Sequence, residues 1–423
     1  MKYFFLSLIT FFASYSQTIF AEDRLSLPDT TISVRAHDGN DLPLYQYPAK
    51  GNDLVVWIGG NGWHDNTIQL ARDLARNGIE VWQIDLADAL MQPADSNFFR
   101  NVDAQYVADI IDAAHQRSGK RVILFAQSYA AIPALRGATL WQQRKEHAGK
   151  LLGAVLFSPD LLTGLPALGK NPEYLPITRA TNIPMMIYQG SLHGSSSQFS
   201  LLLKELASQN PNVFSTIVPG VTSVFYHDQS SPEAVALLKA LPAKMSGLFS
   251  LFESLPVQVS KVDYVQPSQV SVAAPDINLN SFAANPLPPA IDLHDANGHR
   301  FNLPDYRGKI TVVNFWATWC PPCVEEIPSL NRLREQMKDQ PFQLISVNYA
   351  DSPEKVHEFM RRVKVQFPVL IDPNGKVAHQ WNVIGFPSTF VIGTDGKIKY
   401  GVNAAIRWDA PEVIAALKAL NKD

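Results

Sequence analysis

Both cysteines of the 423-residue chain lie in one pentapeptide, Trp319-Cys320-Pro321-Pro322-Cys323. A disulfide here closes a very short loop, removes little unfolded-state entropy and stabilises little. No other cysteine is present to staple distant parts of the fold. Such a pair is better suited to being made and broken. Lys309 to Trp316 is a β-branched and aromatic run and reads as a buried strand. Val324 to Gln336 is helical in pattern, with Leu330, Leu333 and Met337 on one side. The cysteines therefore sit where a strand turns into a helix N-terminus. The partial positive charge of that helix end favours a thiolate, the nucleophilic form. Cys320, nearer the free end, is expected to be the exposed attacking sulfur, and Cys323 the buried resolving one. Two other readings stay open at this stage: a zinc half-site and a pair of inert core thiols. Zinc needs four ligands, and no second Cys-x-x-Cys or nearby His pair supplies them.

The chain here resembles the thioredoxin superfamily, and more closely its TlpA/ResA-like branch of exported bacterial thiol–disulfide reductases. The resemblance covers about Pro289 to Leu420. It rests on Val313-Asn314-Phe315-Trp316-Ala317-Thr318 followed by the cysteine pentapeptide, on Glu326 and Pro328, and on Gly385-Phe386-Pro387-Ser388-Thr389-Phe390. By that resemblance Pro328 kinks the active-site helix, and Pro387 is a cis-proline facing the cysteines. Thioredoxins carry an aspartate where this chain has Asn314. The TlpA/ResA-like group instead places a carboxylate three residues after the second cysteine, here Glu326. A partly buried carboxylate there is expected to have a raised pKa and to relay the proton of Cys323. The alternative is that Glu326 caps its own helix end. The resemblance implies no bound cofactor. It implies exported protein thiols or disulfides as substrates, and a membrane thiol reductase as electron donor.

The length suggests two or three domains, and the net charge of −3 argues against a nucleic-acid partner. Residues 1–21 read as a secretory signal peptide: Lys2, then an apolar stretch from Tyr3 to Phe20, then Ala21. An uncleaved membrane anchor is the rival. Either way the expected location is a periplasm or cell exterior, where disulfides persist. No further transmembrane segment is expected.

Residues 22–245 form the next unit, with alternating strand and helix patterns from about residue 30, an α/β domain. The order of elements resembles the α/β-hydrolase fold. Ser128 follows the strand Lys120 to Phe125, where that fold has its nucleophile elbow, with Ala126 and Ala130 in place of the usual glycines. Gly59-Gly60-Asn61-Gly62 follows an early strand, the place of an oxyanion loop, so Gly60 and Asn61 are candidate contributors. His227, after the last strand, is placed as general base. The position after the penultimate strand, Tyr188 to His193, holds no carboxylate. Asp160 is the candidate substitute. A serine without an oriented base is a poor nucleophile, so a non-catalytic scaffold of the same fold is an equal reading. A fainter likeness to the VirJ/AcvB group of exported hydrolases rests on Gly59 to Trp63, on the helix ahead of Ile79-Glu80-Val81, and on Ser128-Tyr129.

Residues 246–288 read as an extended Pro-rich linker, carrying Pro256, Pro267, Pro275, Pro286 and Pro288. Part of it is alternatively a strand packed on either domain. Residues 289–423 complete the thioredoxin-like domain, with Asp409 and Glu412 expected as a capping box for the final helix. The expected class is thus α/β, with an N-terminal α/β-hydrolase-like domain and a C-terminal thioredoxin-like (TlpA-type) domain. The expected activity is a thiol–disulfide oxidoreductase. The rivals are an esterase-like hydrolase with an accessory redox domain, and a hydrolase-like adaptor that recruits the redox substrate.

Overall fold

The computed structural model describes residues 30–60, 65–144, 150–166, 171–221, 232–256, 264, 279–282 and 285–422. Residues 1–21, Asn61 and His227 lie outside them. The described chain builds two eight-stranded sheets, each with helices and its own cores.

The first sheet contains β1 (Thr31–Arg35), β2 (Asp41–Tyr47), β3 (Asp53–Gly59), β4 (Ile79–Asp85), β5 (Arg121–Gln127), β6 (Leu151–Phe157), β7 (Met185–Gly190) and β8 (Val213–Val218). Their order is β1-β2-β4-β3-β5-β6-β7-β8. The β1–β2 hairpin joins β4 antiparallel, and the strands from β4 to β8 are parallel. Parallel strands are covered on both faces and so read as unbroken apolar runs, as β3 does with every residue buried. The helices are α1 (Asp65–Arg76), α2 (Leu86–Ala89), α3 (Ser96–Asn101), α4 (Gln105–Ser118), α5 (Ala131–Gln142), α6 (Ile177–Ala180), α7 (Phe199–Ala207) and α8 (Pro232–Ser254). Val56 and Ile58 of β3 face the core shared with α4 and α5, and Val55 and Trp57 face the one shared with α1 and α8.

Helix α8 corrects the expected linker, which was to start at residue 246. Leu241, Met245, Phe249 and Phe252 recur at helical spacing and are buried on the sheet, so the helix runs on to Ser254. By length and composition α8 passes as a membrane-spanning segment, at mean hydropathy 1.4, against the expectation that none would. One stripe of it packs on the sheet, while most of its residues are not buried. Tyr264, also within the expected linker, is buried in the same unit.

The second sheet has the order β11-β10-β14-β13-β12-β15-β16-β9. Its strands are β9 (Asn280–Ser281), β10 (Ile291–Asp295), β11 (Arg300–Leu303), β12 (Ile310–Trp316), β13 (Phe342–Tyr349), β14 (Val369–Asp372), β15 (Ser388–Ile392) and β16 (Ile398–Val402). The central strand β12 is parallel to β13 and antiparallel to β15. Helices α9 (Pro321–Gln336), α10 (Pro353–Arg362) and α12 (Pro411–Ala419) cover one face, and α11 (Lys376–Gln380) the other. This mixed sheet, with a helix leaving the central strand, is thioredoxin-like. It begins before residue 289, because β9 adds to the edge at β16 and Ile398 N–H donates to the Pro286 carbonyl. The expected capping box is absent. Ala410 is the N-cap of α12, and the Asp409 carboxylate is held by Arg332 at 2.7 Å instead.

Candidate functional site

Strand β12 is buried along its whole length and delivers the chain to Trp319. Cys320 is the N-cap of α9, and its Sγ accepts a hydrogen bond from the Cys323 N–H at 3.3 Å. Pro321 and Pro322 occupy the first helical positions, where a missing N–H costs nothing. Cys320 and Cys323 form a disulfide, with Cα atoms 5.3 Å apart. The expected contrast between an exposed and a buried sulfur is small, since Cys320 is 5% and Cys323 1% exposed. Each sulfur is bonded to the other within the core of this unit. Trp319 is 55% exposed, and Pro321 and Pro322 are exposed beside it. The Trp319 ring meets Phe386 edge-on at 5.9 Å, and Phe386 lies on Tyr349 at 4.7 Å. The Phe386–Pro387 peptide bond is cis. Ser388 pairs with Phe315, which sets Pro387 beside the end of β12 from which the cysteines emerge.

Glu326 lies three residues beyond Cys323 on α9, on the same helix side, and is buried. Asn314 Nδ2 donates to its Oε1 at 2.7 Å, and Trp408 Nε1 donates to its Oε2 at 3.1 Å. Burial pushes Glu326 up to about 7, against the hydrogen bonds from Trp408 and Asn314 that favour the carboxylate. Both oxygens are thus turned to side chains rather than to the helix end. One further residue supports the loop. Buried Asp351 accepts the Thr318 N–H at 2.9 Å and the Asn348 amide at 3.1 Å, which holds the turn before the cysteines. Trp408 and Asp351 escaped the sequence reading. Asp351 follows the end of β13, the parallel neighbour of β12, and that position is the signal that could have found it.

A disulfide at a helix N-terminus, above a buried titratable carboxyl, is an arrangement for exchanging thiols and disulfides. Known proteins show likeness to this unit. Residues 270–401 match the AhpC/TSA family. The match begins within the segment expected as linker, which also holds β9. The chain is 38% identical over 110 residues to the thiol–disulfide oxidoreductase ResA of Bacillus subtilis, covering 26% of this chain and 62% of that protein. It is 39% identical over 111 residues to the ResA of Geobacillus kaustophilus, covering 26% and 64%. The chain thus spans less than two thirds of the length of these relatives. The solved structure of StoA from Bacillus subtilis is 24% identical, with a TM-score of 0.27, covering 32% of this chain and 99% of that one.

In the N-terminal unit Ser128 takes up φ 47°, between the end of β5 and the short helical turn that leads into α5. A non-glycine residue in that region is strained and is held by its surroundings. Small, buried Ala126 and Ala130 flank it. The β3–β5 register ends at Ile58 opposite Ala126, so Gly60 and Ser128 follow at the same carboxyl end of the sheet. Gly60 has a packing role: a Cβ there would lie 2.0 Å from the Phe99 ring. Asp160 N–H donates to the Ser128 carbonyl at 3.1 Å. Its buried carboxylate accepts the Leu162 N–H at 3.2 Å and faces Arg100 and Tyr129. Burial raises its pKa against the pull of Arg100. His193 follows β7, where the sequence offered no acid, and burial pushes it down to about 4.

Proposed function

We propose that the chain is an exported thiol–disulfide oxidoreductase that reduces disulfides of other exported proteins. The observation that carries this reading is the Cys320–Cys323 disulfide at the N-terminus of α9, beside Pro387 and above Glu326. In the reduced form the Cys320 thiolate attacks one sulfur of the substrate disulfide. A mixed disulfide forms and the first substrate thiolate leaves. The Cys323 thiolate then attacks Cys320 Sγ and expels the second. Two electrons pass to the substrate; Glu326 takes the Cys323 proton as that thiolate forms and hands it on to solvent, and the substrate thiolates are protonated from solvent. A dithiol partner at the membrane restores the reduced pair. The export reading draws on Lys2 and the apolar run that follows it. The test is catalysed reduction of insulin by dithiothreitol, together with the reduction potential of the pair against glutathione. A reductant equilibrates near the thioredoxin range of about −270 mV, and a value near about −120 mV assigns an oxidant instead.

A second reading concerns the N-terminal unit, and one observation favours it: the strained backbone of Ser128 at a strand-to-helix turn. With the strand order β1-β2-β4-β3-β5-β6-β7-β8, it supports an α/β-hydrolase-like unit in which Ser128 is the nucleophile. A fluorophosphonate probe is expected to label the full chain, and Ser128→Ala to remove the label. Absence of labelling selects the adaptor role, with this unit binding the redox substrate and doing no chemistry.

A further inference from the structure

The two units touch through a patch with a glycine on each side. After β6 the chain makes an excursion, closed by the Leu162–Tyr174 bridge and by the Thr163 N–H bonded to the Glu173 carbonyl at 2.9 Å. Buried Arg100 anchors its base through Nε to the Leu162 carbonyl at 2.9 Å. The excursion carries Leu165 and Pro166 to the redox unit. Leu165 fills the space over Gly385, where a Cβ would lie 2.6 Å from its Cδ1. Asn403 Nδ2 donates to the Pro166 carbonyl at 2.8 Å. Beyond β7, Gly194 sits against backbone: a Cβ there would lie 2.9 Å from the Val383 carbonyl oxygen and 3.0 Å from Ile384 Cα. Close approach of this kind needs the missing Cβ.

These contacts converge on the turn from Val383 to Ser388. The Ser388 hydroxyl lies 2.6 Å from both the Gly385 carbonyl and Asn403 Oδ1, so Asn403 ties the turn to Pro166. The same turn carries Phe386, which meets Trp319 and packs against the core that contains both cysteines. One side of the turn thus faces the N-terminal unit and the other the reactive pair.

We propose that Leu165, Gly194 and Asn403 are positioning residues for thiol–disulfide exchange. The N-terminal unit clamps the Val383–Ser388 turn and so fixes the surface beside Cys320 on which a polypeptide disulfide lies. The proposal rests on the redox reading above. A polypeptide covers that turn to bring its cystine to Cys320, whereas a small aromatic disulfide reaches the sulfur alone. The clamp therefore acts on KM for polypeptides and leaves the intrinsic reactivity of the pair unchanged.

The test uses the full chain and two variants that loosen the clamp from opposite sides. Gly194→Val pushes on the turn from the other unit. Asn403→Asp keeps an acceptor for Ser388 but puts a carboxylate oxygen against the Pro166 carbonyl. Insulin reduction is followed over a range of insulin concentrations. The reaction of the pre-reduced chain with 5,5′-dithiobis(2-nitrobenzoic acid) and the reduction potential are measured alongside. Each variant is expected to raise KM for insulin about tenfold, the scale of one lost hydrogen bond. The kcat, the small-disulfide rate and the potential stay at wild-type values. Unchanged KM in Asn403→Asp overturns the clamp even where Gly194→Val fails to fold. A small-disulfide rate that falls in step with insulin turnover also overturns it, because the variant has then disturbed the pair itself. A wild-type chain inert to both disulfides overturns the redox reading and this inference with it.

Discussion

Replacing Cys320 by serine is expected to abolish thiol–disulfide exchange, whereas replacing Cys323 by serine traps the chain as a mixed disulfide with its substrate. The asymmetry follows from the turn that holds the pair. Cys320 is the N-cap of α9, and in the oxidised form its Sγ already accepts the Cys323 N–H at 3.3 Å. After reduction the same N–H and the helix end favour a thiolate on Cys320. A serine hydroxyl there is not ionised near neutrality and does not cleave a disulfide. Without the Cys323 thiol the first step still occurs, but nothing within the chain attacks Cys320 Sγ, so the adduct persists. Non-reducing electrophoresis and intact mass show the adduct, and insulin turnover gives the rate. Limiting iodoacetamide on the reduced wild-type chain checks the roles directly: labelling of Cys323 ahead of Cys320 reverses them. Neither substitution is expected to unfold the chain. By loop-closure entropy a bridge spanning three residue steps contributes only about 2 kcal/mol.

The candidate site was legible because its parts are local. The strand, the Pro-Pro helix start and the cysteine spacing all lie between Ile310 and Gln336, where short-range pattern and geometry agree. The parts that escaped are joined only through tertiary packing. Trp408 reaches Glu326 across 82 residues, and Asp351 holds Thr318 from the next strand over. Helix α8 was cut short because the stretch from 246 was read as one piece by its recurring prolines and scarce glycine, although Pro256, the first of those prolines, lies beyond the helix end at Ser254. The hairpin of β10 and β11 was missed although its strands alternate apolar and polar residues, because each run is only a few residues long and one of its faces is only partly buried. In the N-terminal unit the turn at Ser128 was foreseen from the small residues on either side. The partners of Asp160 were not, because Arg100 comes from α3, far away in sequence. The contact between the units had no sequence signal at all, since glycines such as Gly194 and Gly385 acquire meaning only when another chain segment arrives.

Glu326→Gln is expected to flatten the pH dependence of both stability and exchange. Burial raises the Glu326 carboxyl from 4.5 to about 7 in the folded chain. A folded pKa above the unfolded one means that the folded state binds the proton more tightly. The stabilisation is therefore complete below pH 4.5, where both states are protonated. It is lost as pH rises towards 7, because the unfolded chain ionises first and the folded chain last. A shift from 4.5 to about 7 corresponds to about 3 kcal/mol across that window. Glutamine carries no proton to lose, so across this window the urea midpoints of the oxidised variant are expected to lose the downward contribution that Glu326 makes in the wild type, while the contributions of Asp160, Asp372 and His193 remain in both chains. Part of the gain at pH 7 is offset, because the glutamine keeps an acceptor for Asn314 but sets its NH₂ group against the Trp408 Nε1–H. The slope, rather than the absolute stability, is thus the decisive quantity. In the reduced chain the Cys323 thiolate lies near Glu326 on α9, and like charge pushes the carboxyl up further. The exchange rate of the wild type is then expected to carry an inflection near or above 7 that the glutamine variant lacks, while the inflection from Cys320 remains in both. Superimposable stability curves for the two chains between pH 4.5 and 7 return Glu326 to a packing role and remove it from the proton path.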